Sequence, residues 1–204
     1  SFKDQKFFKV RAKSVICSVP IFILQKILKA DLGGGFSVPS YSPWVISNLV
    51  FDDLRHLDIP WDSVNYHSDT LGFVYANHQN MLRSGPGGIL THFFVPASGD
   101  NEQERYKIYS SSYEELCSRA LVDLKSMYPQ LLTTLREVKL WIWGHAMRKV
   151  TSGVMTEAMN SKFLNESRGL FHAHTDFSGI SIFEEAFYQG NRAARLCINY
   201  LSRS

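Results

Sequence analysis

At 204 residues the chain has room for one large or two small domains, and 45% hydrophobic with 13% aromatic residues is a globular composition rather than a disordered one. The net charge of +3 comes from 22 basic and 19 acidic residues spread along the chain, with no block of five like charges, which argues against a nucleic-acid partner. Cys17, Cys117 and Cys197 are odd in number and far apart, so neither a disulfide framework nor a CxxC metal site is expected, and no apolar run approaches the roughly 20 residues of a membrane span.

In chain order, residues 6–19 read as two short strands around Lys13, closed by Pro20. A short helix is predicted over residues 21–29 and a loop over 33–43. Residues 44–51, 71–77 and 89–95 are rich in β-branched and aromatic side chains and bounded by Gly, Pro, Asn or Asp, so they read as strands of a mostly antiparallel sheet. Residues 98–107 are polar and charged, and an exposed loop is predicted there. Residues 112–127 form a well-marked helix. Ser112 and Glu115 make a capping box, Leu116, Ala120, Leu121 and Leu124 line one apolar face, and Pro129 ends it. Residues 138–143 alternate Val, Leu and Ile with Lys and Trp, which predicts a strand with two different faces. Residues 155–167 are polar and receive no assignment.

The stretch from Arg168 to Arg195 carries the most information. Leu170, Phe171 and Ala173 have strand character and lead into polar residues and Gly179. A long helix follows, with Ser181 and Glu184 reading as a capping box and Phe183, Ala186, Phe187, Gly190, Ala193, Ala194 and Cys197 as its buried stripe. Gly190 in mid-helix costs about 1 kcal/mol relative to Ala, which makes sense if something approaches the helix closely there. A helix N-terminus after a strand and a glycine offers backbone N–H groups to a phosphate or a polyol.

These residues carry a resemblance. G-x-x-x-A from Gly169, then Ser178-Gly179, then FEEA-x-x-x-G-x-x-AA from Phe183 resembles the last flavin-binding segment of the flavin-containing amine oxidase superfamily. Residues 12–28, AKSVICSVPIFILQKIL, resemble that family's A-x-x-V-I-x-x-x-P strand. Residues 140–153, LWIWGHAMRKVTSG, resemble its tryptophan-bearing strand and glycine turn beside the flavin ring. The three segments span most of the chain in the family's order. His174 stands near the family's usual FAG glycine, and Val150 stands where it has a proline.

The family's G-x-G-x-x-G pyrophosphate loop has no counterpart here. Gly33-Gly34-Gly35 lacks the spacing, and Gly85-Pro86-Gly87-Gly88 puts a proline in the turn and leads into a strand. The chain is therefore expected to be the C-terminal portion of a longer flavoprotein. The resemblance implies an α+β chain in which residues 1–28 and 165–204 complete an FAD-binding domain and residues 29–164 form a substrate-binding domain. It implies hydride transfer from an amine-like substrate to FAD, with FAD held weakly or not at all by this chain alone. A non-catalytic remnant acting as a binding or oligomerisation module is the alternative. The implied partners are a small-molecule substrate, the missing N-terminal half of the same protein and a further copy of the chain. A cytoplasmic setting is favoured, and no membrane span or nucleic-acid partner is expected.

The implied cofactor-binding residues are Trp143, Gly144, His174, Thr175, Asp176, Gly179, Ile180 and Ser181, with Tyr75 and His145 as substrate-binding candidates. Trp141 and Trp143 share one face of their strand. Either one taken alone is expected in the core, whereas the resemblance puts Trp143 beside the isoalloxazine ring. Tyr66, His78 and Gln79 also lie along the middle segments. The family often has a lysine near the flavin N5, and Lys139, Lys149 and Lys162 are all open for that role. His172-x-His174-x-Asp176 is close to the H-x-H-x-D-H zinc motif of metallo-β-lactamase-like hydrolases. Its final histidine is Phe177 here and no histidine follows, so no metal is expected.

Overall fold

The computed structural model describes residues 9–28, 39–54, 58–75, 85–96, 100–150, 152–153 and 169–203. In chain order the elements are β1 (Val15–Cys17), α1 (Ile21–Leu28), β2 (Tyr41–Phe51), β3 (Asp62–Ser63), β4 (Gly72–Tyr75), β5 (Gly88–Phe94), α2 (Asn101–Ser110), α3 (Tyr113–Met127), β6 (Leu135–Arg148), β7 (Leu170–His172) and α4 (Phe183–Leu201). Short 3₁₀ turns cover Pro129–Thr133 and Thr175–Phe177. Helices and antiparallel strands together make this an α+β chain. The chain divides into two compact units, one of residues 1–39 and 148–204, the other of residues 40–147.

The 40–147 unit is a five-stranded sheet in the order β3-β4-β5-β2-β6 with helices on one face. β2 pairs antiparallel with β5 from Val45↔Phe94 to Phe51↔Gly88, and β4 pairs antiparallel with β5 and β3. Strict alternation along β2 buries Tyr41, Val45, Leu49 and Phe51 and leaves Trp44, Ile46 and Val50 half-covered. The buried residues meet Phe73, Leu90, Ala120 and Leu124 in one cluster and Phe94, Ile108 and Leu116 in another. Helix α3 thus packs on the sheet through its predicted apolar face. Its capping box forms as expected: Ser112 Oγ accepts from the Glu115 N–H at 3.1 Å, and the Glu115 carboxylate accepts from the Ser112 N–H at 2.9 Å.

Within this unit the sequence reading is corrected at several points. β2 begins at Tyr41 and runs through Pro43, which is tolerated because the pairing with β5 starts only at Val45. β6 spans Leu135–Arg148, longer than the alternating stretch 138–143. Of the loop predicted over 98–107, residues 101–107 instead belong to helix α2. Asp100 caps it, accepting from the Glu102 N–H at 2.8 Å, Glu102 and Glu104 occupy the first turn and Lys107 the last. The helix has no apolar stripe, with Ile108 its one buried residue, so periodicity had nothing to detect.

A buried polar cluster lies beside the apolar core. The Asp123 carboxylate, on α3, accepts from Asn65 Nδ2 at 3.1 Å, Ser68 Oγ at 3.0 Å, Thr70 Oγ1 and His92 Nε2 at 3.1 Å. Burial alone would raise its pKa, but the hydrogen bonds from Thr70, Ser68, His92 and Asn65 outweigh that and hold it below the usual carboxylate range. Burial pushes His92 below its ordinary 6.5, against the opposing hydrogen bond and charge of Asp123 and the charge of Asp69. The neutral imidazole donates through Nε2, and Nδ1 is buried with no hydrogen-bond partner among the described residues.

In the other unit β1 and β7 pair in parallel, Val15↔Leu170 to Cys17↔His172, so the segments near the two ends of the chain are neighbours as expected. α4 packs on this pair, and Ile21 and Leu24 of α1 bury against Phe177. Of the two strands predicted over 6–19, β1 is the one among the described residues; residues 9–12 are not strand, and residues 6–8 lie outside the description. The predicted capping box at Ser181 does not form. The cap position is Ile182, without a side-chain hydrogen bond, because Ser181 Oγ accepts from the Arg148 N–H at 3.2 Å. The predicted buried stripe of α4 is also corrected. Ala193 and Gln189 are buried, whereas Phe183 and Phe187 are exposed at 78% and 66%. Within 4 Å of a Cβ at Gly190 there is nothing among the described residues.

Candidate functional site

The candidate residues fall into two groups, one in each unit. In the first, β7 delivers the chain into a tight turn that uses most of its own polar groups. His174 Nδ1 accepts from the Asp176 N–H at 3.1 Å, the Phe177 N–H reaches the His174 carbonyl at 3.3 Å, and the N–H groups of Ser178 and Gly179 both reach the Thr175 carbonyl, at 3.0 and 2.9 Å. Gly179 sits at φ +80°, where a side chain would be strained. The N–H groups of Asp176 through Gly179 are thus engaged inside the turn.

Asp176 itself has an internal use. Its side chain is buried, and Oδ2 accepts from the Ile21 N–H at 2.9 Å, which satisfies a free donor at the start of α1. Its carbonyl takes the Arg148 guanidinium. His172 is buried and stacks on Phe177, ring centroids 5.0 Å apart and 26° from parallel. His174 and Thr175 are half-buried and Ile180 exposed. Beyond them the first turn of α4 has no side-chain cap and carries Glu184 and Glu185. Two carboxylates there disfavour a phosphate and suit neutral hydroxyl groups.

The second group lies on β6 and β4. Leu140 and Ile142 pack into the core under the helices, so Trp141 and Trp143 stand on the opposite, open face, 43% and 55% exposed. The core reading for either tryptophan is thereby corrected: the alternation of β6 puts aliphatic residues inward and tryptophans outward. Half-covered Trp44 and Phe93 share that open face, their rings edge-on at 6.0 Å. Gly144 is buried on the helix side, where a Cβ would lie 2.7 Å from Tyr109 Oη. The missing side chain thus makes room for α2. His145 is exposed and rests edge-on against Tyr41, ring centroids 5.7 Å apart. Tyr75 packs against the core cluster with Leu90 and Phe73, away from the open face.

Of the other candidates, Tyr66 is almost fully exposed, Lys139 is exposed and ion-paired with Glu137 at 3.2 Å, and Lys149 is exposed. His78, Gln79 and Lys162 lie outside the described residues. Sequence reading missed Arg105. Its Nε donates to the Gly144 carbonyl at 2.6 Å and its guanidinium reaches the Tyr41 carbonyl at 3.3 Å. No helix among the described residues is long and apolar enough to cross a membrane.

No protein-family model matches the sequence, and no curated protein resembles it closely enough to count as a match. Solved structures do match. A protein of Exiguobacterium sp. 255-15 assigned as a protoporphyrinogen oxidase is 16% identical with a TM-score of 0.67, over 92% of this chain and 42% of that one. Reduced UDP-galactopyranose mutase is 12% identical with a TM-score of 0.64, over 93% of this chain and 42% of the other. A putrescine oxidase redesigned in its cofactor binding is 13% identical with a TM-score of 0.63, over 95% and 43%. The chain thus spans well under half the length of these proteins. Across nearly its whole length it has the fold of the corresponding part of these oxidase and mutase structures.

Proposed function

We propose that this chain is the C-terminal portion of an FAD-dependent oxidoreductase of the amine oxidase type, moving a hydride from an amine-like substrate to flavin. The observation that carries the reading is the shared fold over more than 90% of the chain with structures that include a putrescine oxidase. Three sequence segments resembling the amine oxidase superfamily support it independently. In this reading residues 1–28 and 165–204 belong to the FAD-binding domain and residues 29–164 to the substrate-binding domain.

FAD, when bound, supplies the acceptor for the hydride. The residues of this chain bind, orient and exclude water. Ile180, Ser181 and the uncapped first turn of α4 suit the hydroxyl-bearing part of the cofactor, while Glu184 and Glu185 turn phosphate away. Trp143, with Trp141 beside it, offers a flat apolar wall to the flavin ring and an apolar amine. In this reading the exposed His145 hydrogen-bonds the substrate nitrogen. The parallel β1–β7 pair leaves Val15 and Ile16 exposed, and parallel strands are ordinarily covered on both faces. That favours completion by the N-terminal half of the same protein.

Purification of the full-length protein tests the reading. It is expected to be yellow with tightly held flavin that bleaches when an amine is added without oxygen. A colourless full-length protein, or flavin untouched by every amine offered, overturns it. The 204-residue chain alone is expected to bind FAD weakly or not at all, and stoichiometric flavin on it would refute that expectation. The apolar exposure of Phe183 and Phe187 favours the second reading, a non-catalytic association module, and an absence of flavin from the full-length protein would leave that reading standing.

A further inference from the structure

Helix α2 lacks the apolar stripe that usually attaches a surface helix, yet it is fixed to the sheet at three points one helical turn apart. Asn101 Nδ2 donates to Ser40 Oγ at 2.7 Å, Arg105 spans the carbonyls of Tyr41 and Gly144, and Ile108 enters the core. Arg105 is the central attachment. One guanidinium holds the start of β2 and the outer half of β6 together. The carbonyl it grips on β6 belongs to the residue joining Trp143 to His145, and the one on β2 belongs to Tyr41, against which His145 rests. Gly144 completes the arrangement, since any side chain there would meet Tyr109 of the same helix.

We infer that Arg105 is a positioning residue: α2 is a polar clamp that sets the placement of Trp143 and His145 on the open face of the sheet. The inference rests on the proposed role of those two residues, because a clamp on this stretch serves the site only if they meet flavin or substrate. A guanidinium suits the task, as its fixed fork takes two carbonyls at once. A lysine has three donors on a single nitrogen and no fixed fork, so it spans the two carbonyls less well.

Amide hydrogen exchange on the 204-residue chain tests the clamp without flavin. In Arg105→Ala, exchange at residues 143–145 is expected to accelerate roughly tenfold or more through loss of charge-assisted hydrogen bonds, while Leu49 and Leu90 in the core keep their protection. Arg105→Lys is expected to restore part of it, and serves in place of the alanine variant should that variant not fold. In a Trp44→Phe, Trp61→Phe, Trp141→Phe background, Trp143 fluorescence should become more accessible to acrylamide in the alanine variant and recover partly in the lysine variant. Unchanged exchange at 143–145, or equal acceleration at Leu49 and Leu90, would overturn the inference. Quenching of the same tryptophan by flavin in the full-length protein tests the functional reading separately, so either can fail alone.

Discussion

Among single residues, Asp123 decides the most. One carboxylate gathers four donors, three from the segment 65–70 and one from β5, and so ties that segment to α3. Asp123→Asn is expected to cost about 2–4 kcal/mol, because an amide nitrogen would confront donors that now have a carboxylate oxygen. Urea unfolding against the wild type measures it. The pH dependence has a definite sign. The Asp123 pKa is lower folded than unfolded, so its contribution is complete above the ordinary carboxylate value near 3.8 and is lost as pH falls through the folded value. His92 is also lowered, so its contribution is complete above 6.5 and declines below it, where the unfolded chain takes up a proton that the folded chain refuses. Stability should therefore decline below about pH 6.5 and again below about pH 4. His92→Gln should flatten the upper part of that profile; an unchanged upper part would assign the proton uptake elsewhere. Gly72 is a simpler case. At φ +79° a Cβ would lie 2.0 Å from the Ser63 carbonyl oxygen, so Gly72→Ala should destabilise by at least about 2 kcal/mol in the same measurement.

At the scale of elements, α2 and α3 are attached by opposite physics. α3 is held by burial: Leu124 is fully buried in one cluster with Leu49 and Leu90, and Leu124→Ala is expected to cost about 2–5 kcal/mol in chemical denaturation. α2 is held by its cap and by directed polar contacts, so Asp100→Ala should cost only about 1 kcal/mol globally while loosening the helix locally. Exchange of the amides over 101–105 checks this, and equal loss of protection in α3 would mean the two helices unfold as one. β6 shows a related use of polar side chains. The Tyr113 hydroxyl donates to its Val138 carbonyl and Arg105 to its Gly144 carbonyl, so two backbone acceptors of a strand at the end of the sheet order are taken by helix side chains.

At the scale of the whole chain, the apolar residues left uncovered are the main feature of the 1–39 and 148–204 unit. Val10, Phe183 and Phe187 are exposed, and the same helix lines a groove of about 640 Å³ with Phe187, Tyr188, Asn191, Arg192, Arg195 and Leu196. Val19 and Ala194 are half-buried. Patches beyond a few hundred Å² seldom stay bare in soluble monomers, so the chain alone is expected to self-associate and to bind an apolar dye. Phe187→Ser should weaken both without lowering stability. Light scattering of dilute protein decides it: a clean monomer with no dye-accessible surface would contradict this picture.

Features that close within a few residues were legible from the chain alone. The Ser112 capping box, the strand character of residues 44–51, the apolar face of α3 and the α+β mixture all follow from neighbours up to four positions apart. The resemblance carried by three segments likewise led to the shared fold. The same local rules misled wherever a distant partner intervened. Ser181 and Glu184 have capping-box spacing, but the Ser181 hydroxyl accepts from Arg148, 33 residues away, and the helix starts later. The turn at Asp176 looked ready for a ligand, but its carboxylate caps a helix 155 residues earlier and its N–H groups fold inward. Arg105 falls in a stretch that reads as an exposed loop and Asp123 carries no signal of its own, because nothing near them in sequence shows which carbonyls and hydroxyls the fold will bring within reach. A short-range pattern encodes the interactions it completes itself; a buried polar group acquires its partners only when the tertiary structure closes around it.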